Sequence, residues 1–157
     1  MGKKLVILII ALIIIVPVAV VGIDLYLSYE ALSGDSVDTD VGTPVTSLST
    51  DNTTLSFSVS VTISTPSAGF IPKSVTISLQ LYDGDEKVGN KITTSFTIGE
   101  TVTKTIEGEI ELPTDLTTLL NGGTQKTLTV KGSASPAMLG IGLPVDIAVP
   151  EQNIIIG

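Results

Sequence analysis

Between residues 55 and 64 the chain reads LSFSVSVTIS, in which Leu55, Phe57, Val59, Val61 and Ile63 alternate with Ser56, Ser58, Ser60, Thr62 and Ser64. Successive side chains of a strand point to opposite faces, so this pattern predicts a strand with one face in a core and the other covered by small hydroxyls. The same period predicts strands over 45–49, 55–64, 74–82, 87–98, 101–112, 126–135 and 141–149. Turn residues separate them at spacings of roughly ten residues, the mark of an all-β, antiparallel β-sandwich of about seven strands, immunoglobulin-like in outline. In SVTISLQLY, Val75, Ile77, Leu79 and Leu81 are expected to point inward and Ser78 and Gln80 outward. In TVTKTIEGEIEL, Val102, Ile106, Ile110 and Leu112 are expected inward, and Thr103, Thr105, Glu107, Glu109 and Glu111 outward. The period changes once, in PTDLTTLLNGG. There Pro113 opens a short helix, Thr114 or Asp115 can cap it, Leu116, Leu119 and Leu120 form its apolar stripe, and Gly122 ends it.

The N-terminal pattern has no period at all. After Lys3 and Lys4, the nineteen residues from Leu5 to Ile23 carry no charge. As a helix they span roughly 28 Å, close to the roughly 30 Å hydrocarbon core of a bilayer. Residues 1–23, with Leu5, Ile9, Ile14, Pro17 and Ile23 along them, are therefore expected to be a retained transmembrane signal-anchor. A cleaved signal peptide is the alternative, although its apolar region is usually only about 7–15 residues. AVVG at 19–22 is the one weak cleavage candidate, and position 6 lacks the hydroxyl that myristoylation of Gly2 requires. Pro17 is tolerated in a membrane span. Lys3 and Lys4 predict a cytoplasmic N-terminus, while Asp24, Glu30, Asp35, Asp38 and Asp40 follow the run. Residues 24–44 read as a juxtamembrane stem, its first part able to prolong the helix and SGDSVDTDVGTP breaking it. Residues 45–157 then form an extracytoplasmic domain on a cell membrane crossed once.

Composition narrows the chemistry. The chain has no Cys, His, Trp or Arg, and eight Lys against sixteen Asp and Glu leave a net charge of −8. Without Cys there is no disulfide framework and no thiolate, and without His the commonest general base and metal ligand are missing. So acidic a chain is not expected to bind nucleic acid, nor an anionic lipid surface by charge. No enzyme activity and no cofactor are expected.

Four stretches remain as candidate sites. YDGDEKVG places Asp83, Asp85 and Glu86 together, either as a weak cation loop or as a hairpin turn; Lys87 stands where calcium-loop spacing requires an oxygen ligand. Glu107, Glu109 and Glu111 make a row about 6.6–7 Å apart, either a solvated strand face, a carboxylate pair for sugar chemistry or a weak cation site. Asn52 begins NTT, a glycosylation sequon. Ile154, Ile155 and Ile156 follow Pro150 as either a last strand on the chain's own sandwich or a strand donated to a neighbour.

Four segments carry a resemblance: SVSVTISTPSAGFIP, VTISLQLYDGDEKVG, TIGETVTKTIEGEIELP with the following TDLTTLL, and KTLTVKGSASPAMLGIGLPVDIAV with its Gly132 and Pro144. Residues 51–149 resemble the late-embryogenesis-abundant group 2 fold, also called the water-stress and hypersensitive-response (WHy) domain. Thr65-Pro66 stands where that family usually has Asn-Pro. The resemblance implies a β-sandwich, often membrane-anchored, associated with desiccation and stress protection, and no catalytic residues. The expected function is a non-catalytic binding or protective module at the cell surface. The alternatives are a structural subunit of an envelope layer, filament or membrane complex, self-associating through sheet edges and the last strand, or an accessory subunit of a membrane enzyme.

Overall fold

A strand with one apolar face is stable only when that face is covered, and here two antiparallel sheets cover each other. The computed structural model describes residues 3–33, 37–65 and 70–157, with the side chains of 3–6 and 8 left aside. Gly2, Asp35 and Pro66, and the side chains of Lys3, Lys4 and Leu5, lie outside the described residues.

In the first sheet β3 (Thr54–Ser64) is central. It pairs along its whole length with β6 (Thr101–Glu111), from Thr54↔Glu111 to Ser64↔Thr101. Its other edge is shared by β1 (Asp38–Val41) and β2 (Val45–Leu48). The second sheet runs β5 (Glu86–Ile98), β4 (Lys73–Asp83), β7 (Lys126–Met138). The far edge of β7 takes both β8 (Ile141–Gly142) and β9 (Ile147–Ile156). The alternation places the core as expected. Leu55, Phe57, Val59, Val61 and Ile63 are buried, as are Val75, Ile77, Leu79 and Leu81 opposite them. Ile106, Ile110 and Leu112 are buried too, whereas Val102 is only partly covered at the start of β6.

Helix α2 (Thr114–Asn121) closes one end of the sandwich with Leu116 and Leu120 buried, while Leu119 is exposed. Pro113 sits at its N-cap, and neither Thr114 nor Asp115 caps it. The helix ends in a Schellman motif: Thr124 N–H bonds Leu119 O and Gly123 N–H bonds Leu120 O, with Gly123 rather than Gly122 in the left-handed conformation.

Three boundaries differ from the sequence pattern. Helix α1 runs from Lys3 to Ser33, straight through Pro17. Residues 38–41, rich in Asp, are a strand because β3 offers them a free edge. The expected strand 141–149 is split: Ile141–Gly142 pair as β8, 143–146 are not strand, and β9 begins at Ile147 and continues through Pro150, which ends most strand patterns. Val130 faces Gln152 and Gly132 faces Val149, so Pro150 and Glu151 together oppose Lys131 in a bulge on an edge strand, where a missing N–H is tolerated.

Candidate functional site

The buried polar side chains among the described residues, Asp24, Ser28 and Lys73, lie where α1 joins the sandwich. Along α1, Val21 and Leu25 pack on the core, and Asp24, Ser28 and Leu32 are buried, which is a stripe at helical spacing. Residues 12–20, just before it, are all exposed. The stripe therefore marks where an apolar helix stops being free and starts being part of the sandwich.

Asp24 is the centre of this junction, with 0% of its surface exposed. Its carboxylate accepts hydrogen bonds from the N–H of Phe70 and, at 3.3 Å, from the N–H of Ile71. Lys73, 7% exposed, reaches it at 3.2 Å and also donates to Ile71 O at 2.7 Å. Lys73 is the first residue of β4 and lies beside Met138, the last residue of β7. Ser28 donates back to Asp24 O within the helix. Farther along, Tyr29, Leu32 and Ser33 line an open groove of about 520 Å³ with Val37, Thr39, residues 144–148 and Pro150. A charge taken out of water is stable only when paired and hydrogen-bonded, and this one is both. Sequence patterning missed Lys73, which stands 49 positions from its partner. The only available sign was a lone Lys at a position whose period faces the core.

The hydroxyl face is a paired surface. Across β3 and β6, Thr62 and Thr103 hydroxyls lie 2.8 Å apart, Ser64 and Thr101 3.3 Å, and Ser60 and Thr105 3.4 Å. Across β4 and β5, Thr76 meets Ser95 at 2.7 Å and Ser78 meets Thr93 at 3.3 Å. Each of these hydroxyls thus finds a partner on the neighbouring strand. Replacing Thr62 and Thr103 together by Val should change stability by less than about 0.5 kcal/mol, since both partners of an exposed pair are removed at once. The same variant should self-associate more, because it bares a flat apolar sheet. Denaturant unfolding and light scattering of the detergent-solubilised chain measure the two effects; a stability loss above about 1 kcal/mol would contradict the first.

Asp83 and Glu86 pair across a two-residue hairpin, with Gly84 at φ +59°. Asp83 binds Lys126 at 2.8 Å while Asp85 and Glu86 are exposed, and among the described residues no three acidic side chains group as a metal site. Glu107 and Glu109 stand on the outer face opposite Ser58 and Ser56, beside an open depression of about 420 Å³ that Val45 and Ser47 also line. Glu111 lies farther along the same strand, opposite Thr54.

Asn52 lies in a tight turn at φ +56°, and its Nδ2, the atom a glycan would take, donates to Asn121 Oδ1 on α2 at 2.9 Å. The preceding Asp51 carboxylate is held below the usual carboxylate range by the Ser49 hydroxyl at 2.7 Å and by Thr53. Ile154 and Ile156 are buried in the chain's own core through β9, and only Ile155 faces outward. A grouping not visible in sequence is a shallow groove of about 240 Å³ on the outer face of the second sheet, where Lys87, Lys91 and Lys131 surround Tyr82. Lys131 lies 5.3 Å from the centre of that ring.

No protein-family model matches the chain, and no curated protein matches it. Solved structures do. A structural-genomics target solved by X-ray crystallography is 12% identical, over 78% of this chain and 88% of its own, with a TM-score of 0.49. A crystal structure from Archaeoglobus fulgidus is 12% identical, over 76% and 94%, with a TM-score of 0.44. A solution structure of a candidate late-embryogenesis-abundant protein is 11% identical, over 78% and 72%, with a TM-score of 0.39.

Proposed function

We propose that the chain is a single-pass membrane protein that displays its β-sandwich outside the cell as a non-catalytic binding or protective module. One observation carries this: the helix has an apolar stretch long enough to cross a bilayer, only 6% of its most apolar 18 residues is buried, and it runs without a break into the stripe docked on the sandwich. A core helix would be covered by its own protein. A cleaved leader has no need to be continuous with a docked element. The charges support the direction, with Lys3 and Lys4 before the run and Asp24, Glu30, Asp38 and Asp40 after it. The protective role follows the water-stress resemblance of residues 51–149, and the paired hydroxyl faces suit it, being hydrated without counter-ions.

The test uses whole cells making the full chain. The expected result is a protein of full mass that stays with membranes in alkaline carbonate and leaves them in detergent. Its sandwich should be digested by protease added outside intact cells. A released chain shortened by about 22 residues would mean a cleaved signal, whose processing site follows the apolar region. A sandwich protected until the cells are opened would reverse the orientation.

A further inference from the structure

We propose that the end of the sandwich around Phe70 and the Leu139–Ile141 hairpin rests in the interface of a zwitterionic phospholipid bilayer. The inference rests on the membrane anchor proposed above. It concerns where the anchor leaves the sandwich. Asp24, the first charge after the apolar run, touches Phe70, Ile71 and Lys73. Lys73 pairs with Met138, and Met138 with Ile141. The helix therefore meets the sandwich at the end where β4 begins and β7 turns into β8. The later part of α1 continues toward residues 144–150, so the free apolar segment departs on the side of Asp24.

That end carries side chains that water does not explain. Phe70 is 77% exposed, Leu139 65% and Ile141 64%. Among the described residues they are three of the six large apolar side chains exposed on the sandwich; Val45, Leu119 and Ile155 are the others. Leu139 is held at the tip of its hairpin at φ +52°, an unfavourable backbone for a leucine that nonetheless pushes the side chain outward. Tyr26 and Tyr29 are exposed on α1 just past the apolar run, at the level where aromatic side chains collect in membrane interfaces. The charges near this end select the lipid. Lys73 is buried, and among the described residues the exposed charges nearest this end are acidic, Asp38 beside Ser64 and Glu100 in the β5–β6 turn, with the exposed Lys104 farther along β6 opposite Val61. Attraction is therefore through apolar burial, and anionic headgroups would oppose it.

The chain has no Trp, so a single introduced Trp reports its own surroundings. Full-length F70W, L139W, L119W and I14W chains are reconstituted in phosphatidylcholine vesicles containing lipids brominated at shallow or deep acyl positions. Leu119 lies on α2 at the opposite end of the sandwich and serves as the distant reference. Expected are quenching of F70W and L139W by the shallow bromines, quenching of I14W by the deep ones, and none of L119W. If F70W and L139W behave like L119W while I14W is quenched, the anchor stands and this inference is overturned. If I14W also escapes quenching, the anchor fails and the inference with it. Quenching of F70W that appears only after anionic lipid is added would overturn the zwitterionic surface. I141W supplies an independent reporter if one of the rim variants fails to fold.

Discussion

Replacing Asp24 by Ala should destabilise the full chain by about 3–5 kcal/mol, the range for removing one partner of a buried ion pair. The reason is what remains behind. Lys73 keeps its charge at 7% exposure, and the N–H groups of Phe70 and Ile71 lose their acceptor. The double variant Asp24→Leu with Lys73→Met should recover much of the loss, because apolar side chains of similar size replace the pair and no charge is stranded. Denaturant unfolding in detergent micelles, followed by circular dichroism, measures both. An Asp24→Ala chain within about 1 kcal/mol of the parent would mean that water reaches Lys73 and the junction is open. Asp85→Ala, on the exposed hairpin, provides the comparison for a carboxylate with no such burden.

The second large effect is expected at Gly89. Its φ is +64°, and a Cβ there would lie 2.1 Å from Ile110 Cγ2 and 3.0 Å from Glu111 O. This is where β5 of one sheet comes against β6 of the other. Gly89→Ala should therefore cost about 3 kcal/mol, combining about 1–2 for a left-handed non-glycine residue with about 1–3 for overpacking. Gly84 separates the two causes. Its φ is +59°, but a Cβ there meets nothing within 4 Å, so Gly84→Ala should show only the backbone part. Equal losses at the two positions, read from the same unfolding curves, would show that β5 and β6 are not in close contact.

What the sequence reveals and what it conceals divide along the range of the interaction. Leu55 to Ile63 declare a strand because the side-chain period is local and each residue states its own face. Leu116 and Leu120 declare a helix for the same reason. Asp24 and Lys73 say nothing alone, because each reads as an ordinary charge next to an apolar run, and only packing brings them together. The stretch DTDV at 38–41 has the composition of a breaker; its hydrogen bonds come from β3, so its own residues do not announce it. Lys87, Lys91 and Lys131 meet only because β4 lies between β5 and β7. The hydroxyl pairs were half legible: alternation gives the outer face, but register decides that Thr62 faces Thr103.

The unbroken course of α1 also has a mechanical meaning. A module on a flexible tether sweeps a hemisphere and meets partners at many heights and angles. Here the last part of the helix, residues 24–33, is about 15 Å long and bound into the base of the sandwich. On a membrane it would act as a mast rather than a leash. The far end, with α2 and the Asn52 turn, would stand at one height and face one way relative to the helix beneath it. Rotation of that helix in the bilayer would turn the whole sandwich with it, so whatever holds the helix also aims the domain.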